Sequence, residues 1–439
     1  MQGERKTLTQ LSVPICLETL FYMLSGMVDT LMLSSVSDQA VGAVGTANTY
    51  IGVFIIMFGV ISSGMVAVMS QNIGAGRPGI AYQARQLGLV FNALTGILMS
   101  VVLAVFSGGI LRAVSIAPAL LESAETYLKI VGGASFLNAL IPIFSSYLRV
   151  FGYTKHSLIG TVVGNVINII LNSVFLFVFN WGVMGVAAAT VFSKVVNLII
   201  VAAMGAVLIK AKQSPERAQS RKILAQIVKI GFPSAFETAL YNVAMTFIVC
   251  FMNHMDTDGM NVTARSYAMQ IANFSYCVGA ALAQANAIMT GWRIGAKKYE
   301  ECDRGTRKAV IYGLVTATCF SVTFAITGRF IVHIFTNDIQ MIELVVKLLV
   351  VDIFLEFGRV TNLVYGQALK TSGDAIFPVI MGAIFMYLFA VGGTYFLGIH
   401  MGLLAVGAYI AMAGDECARA VGMVLRWKSG KWKSKSLVE

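Results

Sequence analysis

Residues 11–33 read LSVPICLETLFYMLSGMVDTLML, and residues 227–252 read IVKIGFPSAFETALYNVAMTFIVCFM. Each is long and apolar enough to cross a bilayer as a helix, which takes about 20 residues. The two stretches also match each other. Pro14, Glu18, Thr19 and Tyr22 recur as Pro233, Glu237, Thr238 and Tyr241, a shift of 219. Ile73-Gly74-Ala75 recurs as Ile294-Gly295-Ala296 and Gly152 as Gly373, both at a shift of 221, and Gly182 recurs as Gly402 at a shift of 220. An offset this constant along the chain reads as an internal duplication.

Composition agrees with a membrane protein. Of 439 residues, 57 % are hydrophobic and 12 % charged, and the mean hydropathy is +0.78. A soluble chain carries about 25 % charge, so a soluble enzyme and a disordered chain are both excluded. The apolar runs do not alternate in polarity, which excludes a barrel. The net charge of +11 sits in short connectors, where it acts as an orientation signal and not as a nucleic-acid surface. Six scattered cysteines and four histidines form neither a zinc site nor a disulfide framework, and no cofactor is expected.

Twelve apolar runs follow one another: 11–33, 49–69, 88–106, 127–148, 158–179, 183–208, 227–252, 267–290, 310–335, 344–369, 377–397 and 401–425. The expected fold is an all-α integral membrane protein with twelve transmembrane helices in two pseudo-symmetric six-helix bundles. Residues 1–208 form the N-terminal lobe, 209–226 a basic cytoplasmic linker, 227–425 the C-terminal lobe and 426–439 a basic cytoplasmic tail. Lysines and arginines cluster after runs six, eight and twelve (Lys210, Lys212, Arg217, Arg221 and Lys222 after run six), whereas 253–264 holds Asp256 and Asp258 and no Lys or Arg. By the positive-inside rule both termini are cytoplasmic. Six spans per half give both halves the same orientation. That is a parallel repeat, a transporter plan with a cavity between halves that rock. Pro14 and Pro233 lie inside their runs, where a missing N–H permits a helix bend.

A charge in mid-membrane costs roughly 2.5–3.5 kcal/mol, so each needs a partner or a task. Asp29 stands near the outer end of run one. Asn168 and Asn172 share a helix face in run five, and Thr190 in run six lies at nearly the depth of Asn172, counted from the turn at Asn180-Trp181. Their oxygens suit Na⁺, and a lone buried carboxylate suits a proton. Alternatively the amides only join helices. In the second half stand Glu237, then Asp352, Glu356 and Arg359, then Asp415, Glu416 and Arg419. The i,i+3 and i,i+4 spacings allow neutralisation within a helix, so a structural ion network is one reading. Acids outnumber arginines here, and Glu237 is expected to be the unpaired one, with its repeat mate Glu18 in the same state. Lys194 and Arg265 neutralise an acid or snorkel.

These residues resemble the multidrug and toxic compound extrusion (MATE) transporters. Pro14 followed by Val28-Asp29-Thr30, the stretch Asn168 to Asn172-Ser-Val-Phe, Trp181 to Gly185, Ala187 to Thr190, and the turns Ile73-Gly74-Ala75-Gly76 and Gly373-Asp374 carry the likeness. It implies two six-helix bundles around a central cavity, sufficient as a monomer in the plasma membrane, exporting small organic, often cationic compounds in exchange for H⁺ or Na⁺. The family's N-lobe cation site falls on Asp29, Asn168, Asn172 and Thr190. Asn172 departs from it, since the pattern has an acid there. In another branch the acids lie elsewhere in the C-lobe, at positions resembling Tyr241 and Arg359 here. A lipid-linked glycan flippase is the alternative, but its cavity needs many bases to hold phosphate, and the mid-membrane residues lean acidic. An intramembrane enzyme would need a nucleophile–base set, and none is present. The expected partners are small organic substrates and membrane lipids, with no nucleic acid.

Overall fold

In lipid a backbone must satisfy its own polar groups, and a helix does so within one segment. Each of the twelve apolar runs lies on helix in the computed structural model of the chain, which describes residues 6–113, 116–210, 220–255 and 259–438. The helices are α1 (Leu8–Ser34), α2 (Asp38–Gly74), α3 (Pro78–Ala113), α4 (Pro118–Tyr127), α5 (Ser135–Val150), α6 (Thr154–Ser173), α7 (Gly182–Leu208), α8 (Ser220–Asn253), α9 (Met260–Gly295), α10 (Tyr299–His333), α11 (Ile339–Ser372), α12 (Ile376–Phe385) and α13 (Leu404–Lys428). No strand occurs among the described residues. Half of the basic linker, with Lys212 and Arg217, lies outside the described residues, as do Asp256 and Asp258.

Eight helical segments are long and apolar enough to span a membrane, and α4–α5, with the Leu128–Gly132 turn that continues α4, pass the same test together although bent by 41°. The runs at 267–290, 344–369 and 401–425 lie on α9, α11 and α13, which fall short of it. All three carry ionisable residues described below: Arg265 on α9, Asp352, Glu356 and Arg359 on α11, and Asp415, Glu416 and Arg419 on α13. Helix α1 continues through Pro14, and α8 through Pro233.

The repeat reaches into helical detail. A π-helical stretch, Val174–Val178, continues α6, and another, Thr394–His400, stands at the equivalent place in the second half. The turns that follow use left-handed glycines in both places, Gly182 (φ 54°) and Gly402 (φ 70°). Glycine carries no Cβ penalty there.

The chain divides into two compact units, chiefly Val13–Ile73 with Arg77–Gly231, and Phe232–Glu439. The core of the first is built from Leu33, Ala47, Leu103, Tyr127, Leu128 and Val186. In the second, α11 is the hub, with α9, α10 and α13 packed along it. The basic tail is anchored to this unit: Trp432, 1 % exposed, stacks on Trp427 at 4.1 Å, and the Trp427 indole N–H donates to Asp303 at 2.8 Å.

Gly358 sets the distance between α11 and α13. A Cβ there would lie 2.6 Å from the Cys417 backbone nitrogen and 2.7 Å from the Glu416 carbonyl carbon. Gly358→Ala must therefore push the two helices apart. The expected cost is about 1–3 kcal/mol, read as a lower melting temperature of the purified protein in detergent. An unchanged melting temperature would mean that the approach is not tight.

Candidate functional site

In the first unit α6 presents a polar stripe to α1. Ser157 and Thr161 donate to Glu18 Oε1 at 3.0 and 3.4 Å, and Arg149 from α5 pairs with the same oxygen at 2.7 Å. Asn165 donates to the Phe21 carbonyl at 2.7 Å. Asn172 Nδ2 donates to Asp29 Oδ1 at 2.6 Å and lies 3.3 Å from Asn168 Oδ1. These residues recur mostly at i,i+4, so one helix face supplies all of them. Asn168 and Asn172 are buried.

Asp29, Asn168 and Asn172 thus form one hydrogen-bonded chain. Thr190 is buried nearby, but its hydroxyl donates to its own helix, at Val186 O, 2.9 Å away. It approaches the aspartate through Tyr127, whose hydroxyl lies beside Asn48 and Thr190 and within electrostatic reach of Asp29. Lys194, one turn beyond Thr190 on α7, donates to Asn138 Oδ1 at 2.9 Å and also lies within electrostatic reach of Asp29. Sequence reading passed over Tyr127, Asn48 and Asn138. Asn138 carried a usable signal, being an amide inside an apolar run.

The fit to Na⁺ is mixed. Asn172 Oδ1 is buried without a hydrogen-bond partner, as a free oxygen ligand would be. Yet Asp29 is the single carboxylate of the set, and Lys194 offsets its charge. No group of three or more His, Cys, Asp or Glu side chains is arranged to hold a metal ion among the described residues.

The second unit encloses a cavity of about 420 Å³. Arg359 pairs with Glu356 on its own helix and lies 3.8 Å from Glu416 on α13. Arg419 pairs with Asp415 at 2.6 Å and Glu416 at 2.9 Å. Asn362 donates to Glu416 Oε2 at 2.9 Å. The spacings within α11 and α13 therefore do meet, and Glu416 joins the two helices.

Glu237 is not the unpaired acid that the charge count predicts. It pairs with Lys370 at 2.5 Å. Glu18 is likewise paired, with Arg149. Lys370 stands just past the end of the apolar run at 344–369, which is why a count of charges inside the runs passed over it. Arg149 and Lys370 are themselves related by the shift that relates Gly152 to Gly373, so the duplication repeats the ion pair as well as the acid.

The MatE family model matches this chain twice, over residues 14–174 and 233–396. The two matches begin at the two prolines of the repeat. An uncharacterized transporter of Bacillus subtilis, YisQ, is 32 % identical over 437 residues, covering 98 % of this chain and 96 % of its own length. A probable multidrug resistance protein NorM of Thermotoga maritima is 26 % identical, with 99 % and 94 % covered. Among solved structures, an outward-facing multidrug resistance MATE transporter of the MOP superfamily superposes with a TM-score of 0.90 at 18 % identity, covering 99 % of this chain and 98 % of its own. A MOP superfamily transporter from Pyrococcus furiosus, described as having a binding pocket of reverse polarity, gives 0.88 at 19 % identity, with 98 % of each chain covered. The chain is a membrane transport protein by class. It belongs to the MatE family.

Proposed function

We propose that this protein is a secondary antiporter that exports small organic molecules, cationic or amphiphilic, in exchange for a cation. In this reading all twelve runs cross the plasma membrane, in lobes 1–208 and 227–425 joined by the cytoplasmic linker 209–226. Both termini and the tail 426–439 are cytoplasmic. A monomer suffices, and no cofactor or enzymatic step is involved. The observation that carries the reading is the 2.6 Å bond from Asn172 to Asp29. It joins α1 to α6 through a membrane carboxylate, so a change in that carboxylate's charge alters the contact between two helices.

The coupling ion is H⁺ in preference to Na⁺. With Asn172 in place of an acid and Lys194 near Asp29, the site has little net negative charge to hold a metal ion. A proton needs one carboxylate only. Asp29, Asn168, Asn172 and Thr190 form the coupling site. Glu237, Glu356, Arg359, Asp415, Glu416 and Arg419 form the polar network of the second half. The relatives named above are an uncharacterized transporter and a probable multidrug resistance protein, and the second favours export over lipid flipping.

The test is efflux of a fluorescent organic cation from proteoliposomes under separately imposed H⁺ and Na⁺ gradients. The expected result is flux with the H⁺ gradient at least about tenfold above that of protein-free vesicles, with little response to Na⁺. Flux under Na⁺ alone would reverse the ion assignment. Flux under neither would overturn the antiporter.

A further inference from the structure

The ionised side chains around the cavity in the second unit fall into two groups. Arg359, Arg419 and Lys370 each hold a carboxylate. Arg265, on α9, does not. It is 7 % exposed and lines the cavity. Its one hydrogen bond among the described residues is the weak one to the Met245 sulfur at 3.7 Å, and its Nε is buried with no partner. Asp352, on α11, is the matching case among the acids. It is 4 % exposed and lines the same cavity. It makes no hydrogen bond or ion pair among the described residues, although Glu356 and Arg359 are within electrostatic reach. The two do not pair with each other. Tyr409, on α13, lies within electrostatic reach of both.

Leaving a buried guanidinium and a buried carboxylate unpaired is costly, because neither recovers its lost hydration. The rest of the lining is suited to an organic molecule: Tyr276 and Tyr409 are aromatic, and Met245 and Met412 are adaptable. A volume of about 420 Å³ lies within the range of small-molecule sites.

We propose that this cavity is a binding site for zwitterionic organic substrates, with Arg265 taking an anionic carboxylate or sulfonate and Asp352 facing the cationic end. A guanidinium binds a carboxylate through two parallel N–H donors, and in Arg265 only the weak bond to the Met245 sulfur competes for them among the described residues. This assignment rests on the reading of the protein as an exporter of organic molecules, and it names the substrate class.

Two xanthene dyes isolate the charge. Rhodamine 110 carries a free carboxylate and a delocalised cation, and rhodamine 123 is its methyl ester, a cation only. Fluorescein has the same frame as an anion. Binding of each to the purified full-length protein in detergent is followed by fluorescence anisotropy, without any gradient. Rhodamine 110 is expected to bind roughly ten- to a hundredfold more tightly than rhodamine 123, as suits a hydrogen bond to a charged group. It should also bind more tightly than fluorescein, which lacks the charge for Asp352. In Arg265→Gln the ratio between acid and ester should fall to about one. Equal binding of the acid and its ester by the unaltered protein overturns the proposal, and that comparison needs no variant to fold. A ratio that survives Arg265→Gln overturns the role of Arg265. Fluorescein binding as tightly as rhodamine 110 overturns the zwitterion class. Because binding is read at equilibrium, its failure is distinguishable from a failure of coupled export in vesicles.

Discussion

Asp29→Asn abolishes gradient-driven export while leaving a folded protein. The substitution preserves shape and replaces one carboxylate oxygen with an amide. Asn172 Nδ2, now 2.6 Å from Asp29 Oδ1, still finds a carbonyl oxygen to donate to. The contact between α1 and α6 therefore persists, supported further along by Asn165 on the Phe21 carbonyl. What disappears is the charge, and with it the one group in the set Asp29, Asn168, Asn172 and Thr190 that binds a proton or attracts a cation. An ion shifts a conformational equilibrium only by its differential affinity for the two states. With no ion bound, an imposed gradient has nothing to act on. Export against a concentration gradient should fall at least about tenfold, to the level of vesicles without protein. The melting temperature in detergent should stay close to that of the unaltered chain. Both are measured on the same preparation. Normal uphill export in the variant would remove Asp29 from the coupling mechanism. A large drop in melting temperature would make it a structural residue.

The sequence was most legible where the physics is local. Apolar length alone located the twelve helical runs, because a membrane helix must be long and apolar whatever its neighbours are. The meeting of Asp29 with Asn172 was also legible, because depth can be counted from the turn at Asn180-Trp181. The limits came from partners remote in sequence. Glu237 looked unpaired because Lys370 is three helices further along the chain and beyond the end of an apolar run. Thr190 does sit buried in this unit; its hydroxyl donates to Val186 on its own helix, a local bond that depth counting does not detect and that leaves the oxygen's lone pairs open. Arg265 was seen as a charge in or near a span, but its lack of a carboxylate is a property of three dimensions. The helices that fall short of the apolarity of a free-standing span, α9, α11 and α13, carry Arg265, the acids and arginines at 352–359, and those at 415–419. Their polar side chains turn into the unit's interior, where a hydropathy window does not distinguish them from exposed ones.

The duplicated ion pair yields the second large effect. Glu18 is buried, with Arg149, Ser157 and Thr161 all directed at one of its oxygens. Arg149→Met leaves that carboxylate without its counter-charge in a low-dielectric interior. Breaking a buried pair from one side costs about 3–5 kcal/mol, whereas removing both charges together is often nearly neutral. The double variant Glu18→Gln with Arg149→Met should therefore regain most of the stability that Arg149→Met loses. In the second half Glu237 and Lys370 repeat the pair at 2.5 Å. There the glutamate side chain is 23 % exposed against 10 % for Glu18, so water screens it better and Lys370→Met should cost less than Arg149→Met. Thermal unfolding of the four proteins in one detergent measures the order. If the double variant is no more stable than Arg149→Met, the pair is not the stabilising unit. If Lys370→Met is the costlier single change, burial does not set the scale. If the order holds, the duplicated pair fixes each half's first helix, α1 in one and α8 in the other, to its own unit. In the first half α6 then meets α1 at two carboxylates, Glu18, whose charge Arg149 balances, and Asp29, which among the described residues Asn172 alone bonds across the two helices.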